Sequence, residues 1–312
     1  MKFFGNKTIV FTIIMASFCL SNAVSQEKIQ HWFLLASAGD VRLYHKRDKA
    51  LKNLCKSGED AVPYLITQLG RKNIRKVINA ERVLVKIGEP AVPYLIEALA
   101  DTNKKIASIS AQILGSIHDK RALPPLMVAA RHGYIGLRAS ACGALGKFGD
   151  TSVVPILIDA LSDTIPSVRR QAALSLGRIG DPRAIEPLFD VLDDSVYSVR
   201  YTAEYALEKI DTDTLLKIAL ARVDSARPLE KYHLIVILGS TRSDTALKIL
   251  EKYLQDQDYF IRGFACEALA SFRGDWRVAN MLKRALWDNS EFVRMKAGSA
   301  LDRFKKFKPL RW

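Results

Sequence analysis

The sequence predicts an all-α fold, a right-handed α-solenoid of about nine stacked two-helix repeats. Two sets of residues recur along the chain with one period of 30 or 31 residues, which is the observation behind that prediction. The first register comprises Gly58, Gly88, His118, Gly149, Gly180 and Asp211, and the second comprises Leu65, Leu95, Leu126, Leu157 and Leu188. Because independent registers share one period, the repeat is the unit of the structure.

Each repeat is predicted to hold two helices. In residues 168–179, apolar and small residues recur at helical spacing, and Gly180 then ends the helix in a backbone conformation that glycine adopts easily. Proline is tolerated only in the first turn of a helix, so the prolines of the next register fix where each second helix begins. These prolines are Pro63, Pro93, Pro124 and Pro155.

A pair of helices cannot bury its apolar stripe alone, so each pair must stack on its neighbours. The repeats run from about residue 41 to residue 307, and residues 28–38 are predicted to form a capping helix before them. We therefore expect one solenoid domain over residues 24–312.

The first 23 residues have the pattern of a signal peptide. Lys2 and Lys7 precede an apolar run over 8–20, which is too short to span a bilayer. Small residues then allow cleavage after Ala23 or after Ser25. The pattern predicts export to the periplasm, the cell envelope or the exterior. Three cysteines would remain, an odd number that does not suggest a disulfide framework.

The segment VRRQAALSLGRIGDPRAIEPL, residues 168–188, resembles the HEAT repeat, in the short variety named after phycobilisome lyases. The resemblance implies a solenoid but no single function, because this family includes scaffolds, chromophore lyases, DNA glycosylases and hydroxylases. Deoxyhypusine hydroxylases of this repeat type hold iron with His-Glu pairs. The five histidines here precede Trp, Lys, Asp, Gly and Leu, so we predict no catalytic residue, no metal site and no cofactor.

A ladder of basic residues recurs at intervals of 31 or 32, namely Arg138, Arg169, Arg200, Lys231, Arg262 and Arg294. It is either a track for a polyanion or a structural ladder. Four aspartates stand six residues before a ladder base, namely Asp163, Asp194, Asp256 and Asp288. An acid in that turn is placed to cap the next helix and to pair with bases of its own and adjacent repeats, which favours the structural interpretation.

Three surfaces are candidates for binding a partner. The resemblance implies that second helices line the concave face, where the outer position carries Glu97, Val128, Asp159, Asp190, Ala221, Lys252 and Arg284. Tyr197, Tyr201 and Tyr205 form a stripe on one helix, which either packs against the next repeat or forms an exposed aromatic ridge. Residues 308–312, ending at Trp312, are predicted to be an exposed tip beyond a cap of Phe304 and Phe307.

The charge is uneven, with 12 bases and 4 acids over 42–86, 8 and 13 over 150–226, and 9 and 3 over 283–312. We expect an exported, non-enzymatic module that binds or scaffolds a protein partner through its concave face, which is the best candidate of the three surfaces. The alternative is association of its basic ends with an anionic membrane surface or polysaccharide. A lyase or hydroxylase is less favoured. Nucleic acid is least favoured, because export removes most nucleic-acid targets and no groove-reading motif is present.

Overall fold

Helices account for the architecture of this chain. The structure is a computed structural model and describes residues 24–38, 44–210 and 212–305, which form eighteen α-helices and no strand. The proposed signal peptide, Asp211, Phe307 and the tip ending at Trp312 lie outside the described residues, and the Phe304 side chain is not described. The predicted all-α fold is confirmed.

The chain divides into two compact units, residues 1–122 and 123–312, and each is described by itself. The first unit contains an N-terminal helix, two complete helix pairs and the first helix of a third pair. Its helices are α1 Gln26–Ser37, α2 Tyr44–Lys56, α3 Val62–Leu69, α4 Ile74–Ile87, α5 Val92–Ala98 and α6 Lys104–Ile117.

The second unit begins with the second helix of that third pair and continues through five further pairs to one last helix. Its helices are α7 Leu123–His132, α8 Ile135–Lys147, α9 Val154–Ala160, α10 Pro166–Ile179, α11 Ile185–Asp190, α12 Tyr197–Leu207, α13 Thr212–Arg222, α14 Pro228–Thr241, α15 Asp244–Tyr253, α16 Tyr259–Leu269, α17 Trp276–Ala285 and α18 Glu291–Lys305. In each unit successive pairs stack side by side, as the period predicts.

The repeat turns have the backbone that their register requires. Gly58, Gly88, Gly149 and Gly180 all have positive φ, and His118, at a glycine position of this register, also has positive φ, 63°, in the left-handed region. The register prolines are each the second residue of a second helix, as predicted. The register leucines of the second helices are fully buried, so this position forms the centre of the core.

First helices approach one another closely where a glycine faces the next repeat. A Cβ atom on Gly177 of α10 would lie 2.6 Å from the Cα of Ala206, and one on Gly239 of α14 would lie 2.7 Å from the Cα of Ala268. Glu208 occupies the position between these two glycines in the 31-residue register. The first helices on either side of it, α12 and α14, pack much less tightly against each other than α10 packs on α12 or α14 on α16. The second unit therefore has a looser junction between these two helices.

Candidate functional site

The outer positions of the second helices are exposed in both units, as a binding surface requires. Glu97 lies on α5 in the first unit, and Lys252 and Arg284 lie on α15 and α17 in the second. Asp159 and Asp190 are 63% and 72% exposed. Both aspartates are already engaged within the chain, because Arg131 donates to Asp159 at 2.8 Å and Arg222 donates to Asp190 at 2.8 Å.

Arg222 pairs with three acidic side chains of this region. Its guanidinium donates to Glu186 at 2.7 Å and lies 3.1 Å from the carboxylate of Glu230, which is only 5% exposed. It also lies over the ring of Phe189, with 5.4 Å between Cζ and the ring centroid. Arg222 stands one residue after the outer position, so the register did not identify it. The two outer aspartates, Asp159 and Asp190, thus each have an arginine partner within the chain.

The basic ladder joins consecutive repeats in three places. The guanidinium groups of Arg138, Arg169 and Arg262 each donate two hydrogen bonds of 2.6–2.9 Å to the carboxylate of an aspartate in the next repeat. Their partners are Asp163, Asp194 and Asp288. All six side chains are less than a fifth exposed, so these pairs are largely shielded from water.

Each ladder aspartate also accepts a backbone N–H in the turn that precedes the next helix. Asp163 Oδ1 accepts the backbone N–H of Ile165 at 2.8 Å, and Asp194 Oδ1 accepts that of Val196 at the same distance. The paired guanidinium of Arg138 holds the pKa of Asp163 below its usual range. For Asp194, burial opposes ionisation, yet the hydrogen bonds from Arg169 and Val196 outweigh it and the pKa is lowered.

The ladder is interrupted at the loose junction. Arg200 donates to the carbonyl oxygen of Asp194 at 2.7 Å, but its Nε is buried without a hydrogen-bond partner among the described residues. The residue that would supply the acid, by the register of Asp194, is Ser225. The next ladder residue is a lysine, Lys231, and its ammonium group lies over the ring of Tyr253. Two ladder positions therefore depart from the pattern that the other repeats share.

An aromatic surface lies on the first helices α12, α14, α16 and α18 of the second unit, and we call it the aromatic face. Its most exposed members are between 38% and 65% exposed. They are Tyr197, Tyr201, Tyr205, Tyr259 and Phe260. The three tyrosines of α12 thus form an exposed ridge, and Leu174, which shares the register of Tyr205, is half-buried rather than in the core.

Half-buried rings connect the exposed rings of α16 to the neighbouring helices α14 and α18. Tyr232 stacks on Phe264 with 5.1 Å between ring centroids, and Phe260 meets Phe292 edge-on at 5.2 Å. Cations lie over several of the rings, with Lys209 Nζ 4.9 Å from the centroid of Tyr205. Such contacts hold the rings in place while their outer edges stay accessible.

The remaining candidates for chemistry are embedded in the packing. Cys142 and Cys266 are buried, and burial raises the pKa of each thiol to about 12. His233 is hydrogen-bonded to Glu204 between α12 and α14. Among the described residues, no cluster of three or more His, Cys, Asp or Glu side chains is placed to hold a metal ion. No helix of that part of the chain is both long and apolar enough to cross a bilayer.

Comparison with protein families identifies this repeat. The sequence model of HEAT repeats matches residues 123–208 and 212–302, which together are more than half of the chain. A search of curated proteins finds no match.

Comparison with solved structures identifies the same fold. The YibA protein of E. coli is 20% identical, with 92% of this chain and 100% of that chain covered and a TM-score of 0.51. Yeast importin-β is 13% identical, with 95% and 47% covered and a TM-score of 0.56. The Nostoc phycocyanin lyase complex of CpcE and CpcF is 19% identical, with 69% and 94% covered and a TM-score of 0.40. At these identities the likeness concerns the fold.

Proposed function

Because this chain belongs to the HEAT-repeat family, we propose that it is an exported, non-enzymatic scaffold that binds a protein partner through the aromatic face. The exposed rings of α12 and α16 are the observation that carries the proposal. The signal-peptide pattern supports export. The fold supports scaffolding, since stacked repeats present long surfaces of the kind that bind proteins.

Exposed tyrosine and phenylalanine rings are suited to a protein interface. Such rings supply large contact areas with little loss of side-chain entropy, and tyrosine is enriched at the residues that dominate binding energy. Contiguous apolar patches on a soluble protein mark interaction sites. Tyr197 stacks on Tyr201 with 6.2 Å between ring centroids, and Tyr259 lies tilted against Phe260 at 4.3 Å. These contacts make the surface partly preorganised.

We assign a smaller part of the binding to the second-helix face. Asp159 and Asp190 would have to exchange their bonds to Arg131 and Arg222 for bonds to a partner, which reduces the net gain in binding energy. Lys252 and Arg284 remain exposed cations that can steer an acidic partner and set its orientation. We therefore place the main contact on the aromatic face and an electrostatic contribution on the second helices.

The test compares partner recovery by matched variants. Tagged mature protein is used to purify partners from the native envelope fraction, as wild type, as the triple variant Tyr201→Ser, Tyr259→Ser, Phe260→Ser, and as the control Val128→Ser, Trp276→Ser. The control removes two exposed apolar side chains from the second helices. We expect the triple variant to recover a specific partner at least tenfold less than wild type, and the control to recover it normally.

Two results would overturn the proposal. The first is full recovery of every partner by the triple variant, provided that its thermal melt matches that of wild type. The second is absence of any protein partner combined with salt-sensitive binding to vesicles of anionic lipid or to envelope polysaccharide, which would favour the surface-association alternative.

A further inference from the structure

A groove in the first unit has properties that the proposed scaffold does not use. It lies between α1, α3 and the start of α4, and its volume is about 780 Å³. Sites for small molecules usually fall between ~300 and ~1,000 Å³. The groove is therefore large enough for a metabolite or a headgroup, but it is small for a folded protein.

Among the described residues, the charged side chains that line this groove are all positive. They are Arg71, Lys72 and Lys76, and no described Asp or Glu lines it. None of the three has an ion-pair partner in the described part of the chain. In the second unit, by contrast, arginines such as Arg138, Arg169, Arg222 and Arg262 are paired within the chain. Uncompensated positive charge inside a concave surface attracts an anion.

Arg71 occupies a position where other repeats carry an acid. It stands six residues after the buried register leucine, Leu65, and that position is aspartate in five later repeats. Those aspartates are Asp101, Asp163, Asp194, Asp256 and Asp288. Each accepts the backbone N–H two residues on, a bond that an arginine cannot make. The first inter-repeat turn therefore carries a base at the position where five later turns carry an aspartate that stabilises the turn.

The turn keeps its shape by other means. Asn73 caps α4 by accepting the backbone N–H of Lys76 at 3.3 Å. Lys105 Nζ donates to the backbone carbonyl of Arg71 at 2.6 Å, which fixes the turn and adds a fourth cation beside the groove. The helix begins at the groove, so its N-terminal dipole adds to the positive potential there.

Uncharged groups complete the lining. Gln30, Gln68 and Asn73 supply amide groups, and Gln68 is only 5% exposed. The ring of Tyr64 forms one wall and meets Phe33 edge-on at 5.7 Å, which holds it in place. Amide groups can hydrogen-bond to the hydroxyl groups of a ligand, and an aromatic ring can pack against the face of a small polar molecule. The cations can bind a doubly charged anion.

We propose that this groove binds a phosphate monoester carried on a small hydroxyl-rich body, such as a sugar or glycerol phosphate. The concentration of three cations in one small groove fits a compact dianion better than the spread charges of an acidic peptide. The inference goes beyond the protein scaffold, because it concerns a separate surface in the other unit and a different class of ligand.

The test uses a substitution that restores the common turn. Arg71→Asp places the acid of the later repeats in the first turn, so the variant should fold while it removes one cation and adds an anion. The control is Lys52→Asp, which makes the same charge change at an exposed site on α2 outside the groove. The probes are sn-glycerol 3-phosphate and glucose 6-phosphate in titration calorimetry, and phosphatidylglycerol and phosphatidic acid vesicles in sedimentation.

We expect wild type and Lys52→Asp to bind a phosphate ester, and Arg71→Asp to bind it at least tenfold more weakly with an unchanged thermal melt. Binding of free esters would assign a soluble ligand, and binding of phosphatidic acid vesicles alone would assign a lipid headgroup. The proposal is overturned if no phosphate monoester probe binds, if only phosphatidylglycerol, a phosphodiester, binds, if Arg71→Asp binds as wild type does, or if both variants lose binding equally.

Discussion

The ion pair between Arg169 and Asp194 shows what a single ladder residue contributes. The sequence places aspartates six residues before four of the six ladder bases, and the Arg169 guanidinium donates to the backbone carbonyl oxygen of Asp163, in the turn of its own repeat. This spacing did not show which carboxylate the guanidinium would grip. The fork forms with the next repeat, 25 residues away, because the stacking of two repeats brings those groups together.

Replacing Arg169 by glutamine should destabilise the second unit by about 2–4 kcal/mol, because Asp194 would stay ionised, largely buried and unpaired. Urea denaturation followed by circular dichroism measures this loss. Arg170→Gln is the matched control, an exposed arginine on the same helix that should change stability by less than about 0.5 kcal/mol. Equal stability of the two variants would show that the ladder has no structural role.

Ser225→Asp should have the opposite effect. The substitution places a carboxylate at the register position that serves Arg138, Arg169 and Arg262 in other repeats, and Arg200 has a buried Nε without a partner in the described residues. We expect a gain of about 0.5–1.5 kcal/mol. The gain should vanish in the background Arg200→Gln, and a gain that persists there would mean that the new carboxylate acts elsewhere.

Helix α12 is the element that departs most from the repeat. Glu204 stands where Cys142 and Cys266 are buried, and Glu208 stands in the register of Gly177. These departures are visible in the sequence once the registers are aligned. Their structural consequence is not visible in the sequence. The separation of α12 from α14 depends on how bulky polar side chains pack between the two helices.

Valine substitutions should distinguish a tight junction from a loose one. Gly177→Val should destabilise by about 3 kcal/mol, because its Cβ would overlap the backbone of Ala206. Glu208→Val, at the same register one repeat later, should cost less than about 1 kcal/mol, since α12 and α14 are not in close contact. Thermal melts of both variants test the difference. Similar losses at the two positions would contradict a loose junction.

For the molecule as a whole, periodicity predicted the fold but only part of the surface. The period, the prolines and the glycines specify the helices and their order through backbone preferences alone. The pairing of Arg131 with Asp159 and the exposure of Tyr205 depend on long side chains that reach across repeats, which spacing does not determine. The positive groove could have been found from the sequence, because Arg71 breaks the aspartate register.

The proposed export makes a further prediction about the processed chain. Val24 donates its backbone N–H to Asp60 Oδ2 at 3.1 Å, and α1 begins two residues later, at Gln26. Cleavage after Ala23 would turn the Val24 nitrogen into an ammonium group and this hydrogen bond into an ion pair. Cleavage after Ser25 would remove Val24 together with Ser25, whose carbonyl oxygen accepts the N–H groups of Lys28 and Ile29.

We therefore expect the native mature protein to begin at Val24, which its intact mass measures. Asp60→Asn should cost the protein beginning at Val24 about 0.5–1 kcal/mol more than a protein that retains Ala23, where the Val24 nitrogen stays an amide. High salt should remove that difference, because exposed ion pairs are screened. A mature chain that begins at Gln26, or an equal effect of Asp60→Asn in both proteins, would contradict a link between processing and the Val24–Asp60 contact.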